Sequence, residues 1–268
     1  MTCKYFGKMI SHREKEVVMG SLDKAMSILK HLGDPPYEFS LSELASFVDI
    51  GKSGAFKILK TLQAHNFVIQ DFLTKKYHLS PIMIRLGNVY GRLKGIEEIT
   101  RPVLSYISRT LGETTYISVW EGDRAFPAYK NVVRGGCYDA ADFIGTSIPL
   151  NSGGSAMVLC AYQDGELMRK ILSTAELEKR TPFTIMDREG LLEEYEKIRE
   201  RGYAIEDETF TLGEITLAVP VFAQEGVVIA SLGLSAPKHH LPEEKIPEWI
   251  NILKKGAEEI SFSFRFRH

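Results

Sequence analysis

The chain has 268 residues, enough for two domains of ordinary size, each able to bury its own core, and too few for three. Apolar residues at 44%, charged at 25% and aromatic at 10% match globular averages and argue against a disordered, fibrous or disulfide-scaffold protein. Three widely spaced cysteines, Cys3, Cys137 and Cys160, form no Cys-x-x-Cys pair; this excludes a disulfide framework and a thiolate zinc site and fits a reducing, cytoplasmic compartment.

A net charge of −2 hides a division along the chain. Residues 1–95 carry 14 Lys and Arg against 8 Asp and Glu, net +6, whereas residues 96–268 carry 19 against 27, net −8. A basic head on an acidic body suits a polyanion-binding module, because sequence-independent affinity for nucleic acid comes from neutralised phosphates. Chance variation of surface charge gives the same totals, so the positions of the charges decide. Residues 1–20 are charged throughout, lack a long apolar centre and are expected to form a flexible tail rather than a secretory signal. The longest apolar runs, such as residues 227–234, fall short of the ~20 needed to cross a bilayer, so no membrane partner is expected.

Residues 21–80 read as three helices and a hairpin. Leu22, Ala25, Met26, Leu29 and Leu32 recur at helical spacing after Ser21, and Gly33-Asp34-Pro35-Pro36 stops the run. Ser40-Leu41-Ser42-Glu43 is a capping box that starts a short second helix with Leu44, Phe47 and Val48 facing inward. Beyond Asp49-Ile50-Gly51 a third helix places Ala55, Ile58, Leu59 and Leu62 inward, which leaves Lys52, Ser53, Phe56, Lys57 and Lys60 on the outer face. Two helices around a tight turn, the second basic on its outer face, form a helix-turn-helix whose second helix fits a major groove. An ordinary solvated helix carries such lysines too. The next segment favours the DNA reading: Phe67-Val68-Ile69-Gln70 and Tyr77-His78-Leu79 flank a turn holding Lys75 and Lys76, a wing that would lay both lysines on phosphates.

Residues 81–98 predict a linker helix beginning at Ser80-Pro81, with Ile82, Leu86, Val89, Tyr90 and Leu93 as a second apolar face suited to pairing, hinging or packing. Residues 99–268 predict a body in which Thr100-Arg101-Pro102 opens a helix closed by Gly112. Strand pairs follow at 115–120 with 125–129 and at 214–222 with 227–235. Between and after them come a small-residue helix start near Asn151, a helix capped by Asp187 and stopped at Gly202, and a last helix from Pro242 to about Ile260. This is an α+β sheet covered by helices.

Motifs in both halves resemble the IclR family of transcription regulators. Lys52-Ser53-Gly54-Ala55-Phe56-Lys57-Ile58-Leu59 stands where that family has a recognition helix. In the body, Leu111-Gly112-Glu113-Thr114, Arg201-Gly202-Tyr203 with Glu206-Asp207-Glu208, Ala218-Val219-Pro220-Val221-Phe222 and Leu234-Ser235-Ala236-Pro237 fall in the family's order. The resemblance implies a winged helix-turn-helix, a linker helix and a GAF-like effector domain in a dimer or tetramer. It also implies an operator on double-stranded DNA and a small organic-acid effector. By motif position the effector pocket would include Cys137, Gly154, Ser155, Asp207, Thr216 and Ser235; helix-start amides and hydroxyls are natural partners of a carboxylate. Gly54 and Phe56 depart from the family's recognition helix, Gly154-Ser155-Ala156 lacks its lysine, Thr216 stands where cysteine is frequent and Gly233 where serine is, so the bases read cannot be borrowed from relatives, and a changed effector, or none, is expected.

No enzyme, metal or cofactor is expected. Ser155 does not lie in a Gly-x-Ser-x-Gly elbow, Glu206-Asp207-Glu208 reads equally well as an exposed turn, and His239-His240 lacks companions at metal-ligand spacing. The alternatives to a repressor of catabolic genes are a metabolite-binding module and an enzyme acting in the body's cleft.

Overall fold

The computed structural model describes residues 20–121, 124–133, 144–145, 147–223 and 226–265, so the expected tail lies outside it apart from Gly20. The chain divides between Val89 and Tyr90 into two compact units, a head and a body.

The head contains α1 (Ser21–His31), α2 (Leu41–Phe47), α3 (Lys52–Ala64) and the hairpin β1 (Val68–Gln70) and β2 (Tyr77–Leu79). The capping box forms as expected: the Glu43 amide donates to Ser40 Oγ at 3.3 Å and the Ser40 amide to Glu43 Oε2 at 2.7 Å. These bonds hold the Glu43 carboxyl below its usual range. Ile28, Leu32, Leu44, Leu59, Val68 and Tyr77 make one core cluster. The outward helix-one residues differ from expectation. Leu22 and Met26 are 74% and 50% exposed, and fully buried Ile28 takes their place, because the core lies at the C-terminal half of α1. Phe47 also turns outward and stacks on His31, with ring centroids 3.9 Å apart.

From the head, α4 (Ile82–Lys94) runs to Gly95, whose left-handed backbone (φ 59°) separates it from α5 (Ile96–Leu111). The expected start at Thr100-Arg101-Pro102 is thus corrected: Pro102 lies inside α5. Burial of Ile96 with Val103, Leu104 and Ile107 draws the helix four residues further back.

The body is built on a five-stranded antiparallel sheet in the order β4-β3-β7-β6-β5. The strands are β3 (Thr114–Glu121), β4 (Arg124–Asn131), β5 (Ala204–Asp207), β6 (Glu214–Phe222) and β7 (Val228–Pro237). Alternation sorts their side chains between two faces. Ile117, Val119, Leu217, Val219, Leu232 and Leu234 pack against α5 and α9 (Ile246–Arg265). The other face is covered by α6 (Gly154–Ala161), itself backed by α8 (Arg188–Arg201). As expected, Asp187 caps α8 by accepting from the Gly190 amide at 2.7 Å, and left-handed Gly202 ends it. Two elements carried no expectation: α7 (Gly165–Thr174), capped by Asp164, and β5, part of which reads from sequence as a turn.

Candidate functional site

Two surfaces concentrate the candidate residues. On α3, burial of Ala55, Leu59 and Leu62 fixes which side meets solvent. Lys52, Ser53, Phe56, Lys57 and Lys60 are all exposed on the opposite side, as the spacing requires. The helix begins at Gly51 without a side-chain cap and contains no acidic residue, so nothing on it competes with a phosphate for its first amides. Lys60 Nζ lies 5.4 Å from the Phe56 ring centroid.

The wing departs in one respect from the expectation of two phosphate-facing lysines. Lys75 is exposed at the tip. Lys76 points back to Glu38, Nζ to Oε1 2.9 Å, and this partner raises its pKa. The pair is half-exposed, so Lys76 shares its charge between this carboxylate and the solvent side of the wing.

In the body the α6-covered face of the sheet is polar. Glu206, Thr216, Ser235 and Thr114 stand in one row across β5, β6, β7 and β3. The next row is Ala204, Ala218, Gly233 and Tyr116, and beyond it Pro220 pairs with Ser231 and Ser231 with Ser118. Gly154 at the start of α6 sits directly over this face, since a Cβ built on it would meet Thr216 Cγ2 at 3.0 Å and Glu206 Cβ at 3.6 Å. Its N-cap Gly153 has φ 80°, and a Cβ there would meet Ile148 Cγ2 at 2.8 Å; both constraints demand glycine. Gly233 is also required, for space: a Cβ would fall 2.5 Å from Tyr116 Cζ and 2.6 Å from Ser155 Oγ. The Tyr116 ring thus fills the volume that a serine at 233 would need.

Buried polar groups gather here. Among the side-chain atoms without a hydrogen-bond partner are Ser118 Oγ, Ser231 Oγ and Glu206 Oε2, while the Ser155 and Thr216 hydroxyls adjoin the Tyr116 phenol. Each such atom costs about 1–3 kcal/mol when left unsatisfied. Glu206 Oε1 accepts from Thr209 Oγ1 at 2.7 Å and the Phe210 amide at 2.8 Å. Burial nevertheless raises the Glu206 pKa, outweighing those bonds, and neighbouring Glu214 adds to the rise. Ser235 Oγ donates to Glu214 Oε1. Burial, reinforced by Glu214, also pushes the Tyr116 phenol upward. A cleft of about 450 Å³ between β6 and α9, lined by Tyr162, Phe222, Lys254 and Phe262, carries none of these unpartnered atoms.

Of the expected pocket residues, Gly154, Ser155, Thr216 and Ser235 come together. Asp207 does not, and that expectation is corrected. One residue along a strand reverses the face, so Glu206 points under α6 while Asp207 is exposed and paired with Lys238 at 2.8 Å. Lys238 also binds Glu208 at 2.8 Å, and both acids raise its pKa. Cys137 lies outside the described residues. Cys160, on α6 and buried in the cluster it shares with α8, has its thiol pushed up to about 12 and is a packing residue.

Residues 91–262 match the family described as "Bacterial transcriptional regulator IclR C-terminal", and residues 21–71 match "IclR helix-turn-helix domain". The chain belongs to the IclR family. The transcriptional regulator BhcR of Paracoccus denitrificans is 28% identical over 242 residues, covering 90% of this chain and 86% of its own. The transcriptional repressor AllR of Escherichia coli K12 is 27% identical over 246 residues, covering 90% and 89%. Among solved structures, the IclR of Thermotoga maritima superposes with a TM-score of 0.73 at 29% identity, covering 92% of this chain and 100% of that one. An IclR homologue of Microbacterium hydrocarbonoxydans, solved with 4-hydroxybenzoate, shares the fold at a TM-score of 0.77 and 18% identity, covering 91% and 99%.

This IclR-family chain is therefore a helix-turn-helix transcriptional regulator that acts on DNA. No helix among its described residues is long and apolar enough to cross a membrane, and no group of three or more His, Cys, Asp or Glu among them could hold a metal ion. Sequence reasoning missed Tyr116, Glu206, Glu214, Ser118 and Ser231. Their signal is alternation: in Thr114-Thr115-Tyr116-Ile117-Ser118 every second residue is apolar only from Ile117 onward, so the polar face is visible once β3 is paired with β7.

Proposed function

We propose that this regulator is a cytoplasmic homo-oligomer without enzymatic activity, that it represses catabolic genes, and that a small organic acid bound under α6 controls its grip on the operator. The exposed lysine face of α3, opposite a fully buried Ala55-Leu59 stripe, carries the reading. Paired heads would set these helices into successive major grooves of a pseudo-palindromic operator, about one helical turn apart or a multiple of it. Exposed Ile84, Leu86 and Val89 on α4 support pairing through the linker. Lys57 and Lys60 would reach base edges or phosphates, and Lys75 a phosphate beside the groove.

In the body, the uncapped start of α6 offers amides to a carboxylate, and the hydroxyls of Ser155, Thr216 and Ser235 surround it. Glu206 and Glu214 add acceptors, which favours an acid that also bears a hydroxyl. The ligand acts only through unequal affinity for two arrangements of the oligomer, and that difference sets the change in operator occupancy.

The test combines the two sites. An operator selected from a random duplex pool should bind the wild type, and Lys57→Ala or Lys60→Ala should weaken it by about 1–3 kcal/mol. Acids found by thermal-shift screening should alter that binding. An anion beside Glu206 pushes it further toward protonation. Its pKa already lies above 4.5, so ligand affinity should rise as pH falls through the range above that value, and Glu206→Gln should flatten the dependence. Wild-type affinity in both lysine variants would remove α3 from the interface; turnover of the acid would reveal an enzyme.

A further inference from the structure

We propose that the wing tip, Phe72-Leu73, is an apolar wedge that enters the minor groove beside the groove occupied by α3 and unstacks a base step there. The proposal rests on the DNA-binding reading above and adds a deformation of the operator to it.

Phe72 and Leu73 are 81% and 85% exposed, the highest values among the large apolar side chains of the described residues. This exposure is built rather than slack. Asp71 Oδ1 accepts from the Leu73 amide at 2.9 Å, the Thr74 amide at 2.6 Å and Thr74 Oγ1 at 2.9 Å. Those bonds hold the Asp71 carboxyl below its usual range. The Asp71 amide donates to the Lys76 carbonyl at 2.8 Å and Gln70 Nε2 to the Lys75 carbonyl at 2.9 Å, closing the turn from both sides. Lys75 takes a left-handed backbone, φ 59°, to complete it. Five hydrogen bonds thus present two greasy side chains to water, an arrangement that folding alone does not call for.

The tip is also held in register with α3. Val68 and Tyr77 at the base of the hairpin are buried in the same cluster as Leu59 and Leu62, so the wing cannot shift without disturbing the core beneath the lysine face. A rigid offset between a groove-reading helix and a protruding tip is what insertion at one defined step requires.

Charge selects the occupant. Lys75 Nζ lies 4.5 Å from the Phe72 ring centroid, placing an ammonium over one ring face and leaving the other face and Leu73 open. Lys52, Lys57 and Lys60 are exposed on the same unit. An apolar tip that carries an ammonium over one ring face, on a unit with an exposed lysine face, fits a duplex better than the apolar surface of another protein. The minor groove, about 6 Å wide, admits side chains but no helix. Apolar wedges are known to separate base steps there and bend the duplex, most easily at pyrimidine–purine steps. The operator should therefore carry a TA or CA step under each wing.

The test uses the full chain and an operator duplex selected from a random pool, with 2-aminopurine placed in turn at the steps flanking each half-site and dyes at the ends to report bending. The wild type should raise 2-aminopurine fluorescence at one step per half-site and shorten the end-to-end distance. The double variant Phe72→Ala, Leu73→Ala should bind about tenfold more weakly and lose both signals, with an unchanged salt slope. Lys75→Ala should keep both signals while its salt slope falls by about one. Because the tip is exposed, neither variant threatens the fold, and unchanged thermal melting confirms it. Wild-type binding without unstacking or bending overturns the wedge alone, as does a double variant that retains both signals. Failure of the wild type to bind any duplex overturns the DNA reading with it.

Discussion

The head presents its working residues to solvent, and the body buries them. On α3 the proposed DNA-facing set is what remains after Ala55, Leu59 and Leu62 have turned to the core, so its geometry follows from helical period and burial alone. Under α6 the polar set is itself buried: Ser155, Ser118 and Ser231 are fully enclosed and Glu206 nearly so, at an energetic cost that the apolar face of the same sheet has to offset. A surface that meets a polyanion needs a rigid base and free charges. A surface that selects a small molecule needs enclosure, and enclosure makes it sensitive to single atoms.

The sharpest break of that comparison is to damage one unit and ask whether the other notices. Leu59 is fully buried in the head core, and Leu59→Ala should destabilise the head by about 2–5 kcal/mol. Calorimetry should show the head transition falling while the body transition and acid binding stay put. Movement of both transitions together would mean that the head and body unfold as one.

Next in size is Gly233→Ser, which tests the claim that Tyr116 holds the volume above this glycine. The added side chain collides with the Tyr116 ring and Ser155, so the body should lose about 1–3 kcal/mol and its acid binding, while DNA binding by the head survives. Tyr116→Ala, which by itself opens a cavity costing about 3–5 kcal/mol, should abolish the added cost of the serine when the two are combined in a double-mutant cycle. If the single variant melts normally, the ring moves aside and the pocket is more plastic than its packing indicates.

What could be read from sequence follows the same division. The Ser40-Glu43 capping box, the Asp187 cap and the Gly202 stop are local devices, written in adjacent residues, and each forms as read. The lysine face of α3 is equally local. The proposed effector face depends on which strand pairs with which and in what register, and sequence carries that only as alternation. Three consecutive acids, Glu206-Asp207-Glu208, leave the register of β5 open by one residue, enough to send Asp207 to solvent and Glu206 inside. Helical spacing aligns exposed Leu22 and Met26 with the apolar stripe, because it does not tell how far along the helix the core extends. Pro102 reads as a helix start from its preference for that position, whereas the burial of Ile96 carries α5 past it.

The smallest effect separates fold from recognition within α3 itself. Gly54 lies in the first turn of that helix, where glycine is less favourable than alanine, and a Cβ added there would meet Ile50 Cδ1 at 3.5 Å, an ordinary contact. Gly54→Ala should therefore stabilise the head by about 0.4–1 kcal/mol, mainly by narrowing the unfolded ensemble, raising the urea midpoint with an unchanged slope. Since the gain arises in the unfolded chain, operator affinity should stay within about twofold of wild type, roughly 0.4 kcal/mol. A larger loss of affinity alongside the gain in stability would show that the backbone at Gly54 approaches the duplex more closely than a methyl group allows. The glycine would then serve the groove, and the head's reading face would extend from the side chains of α3 to its main chain.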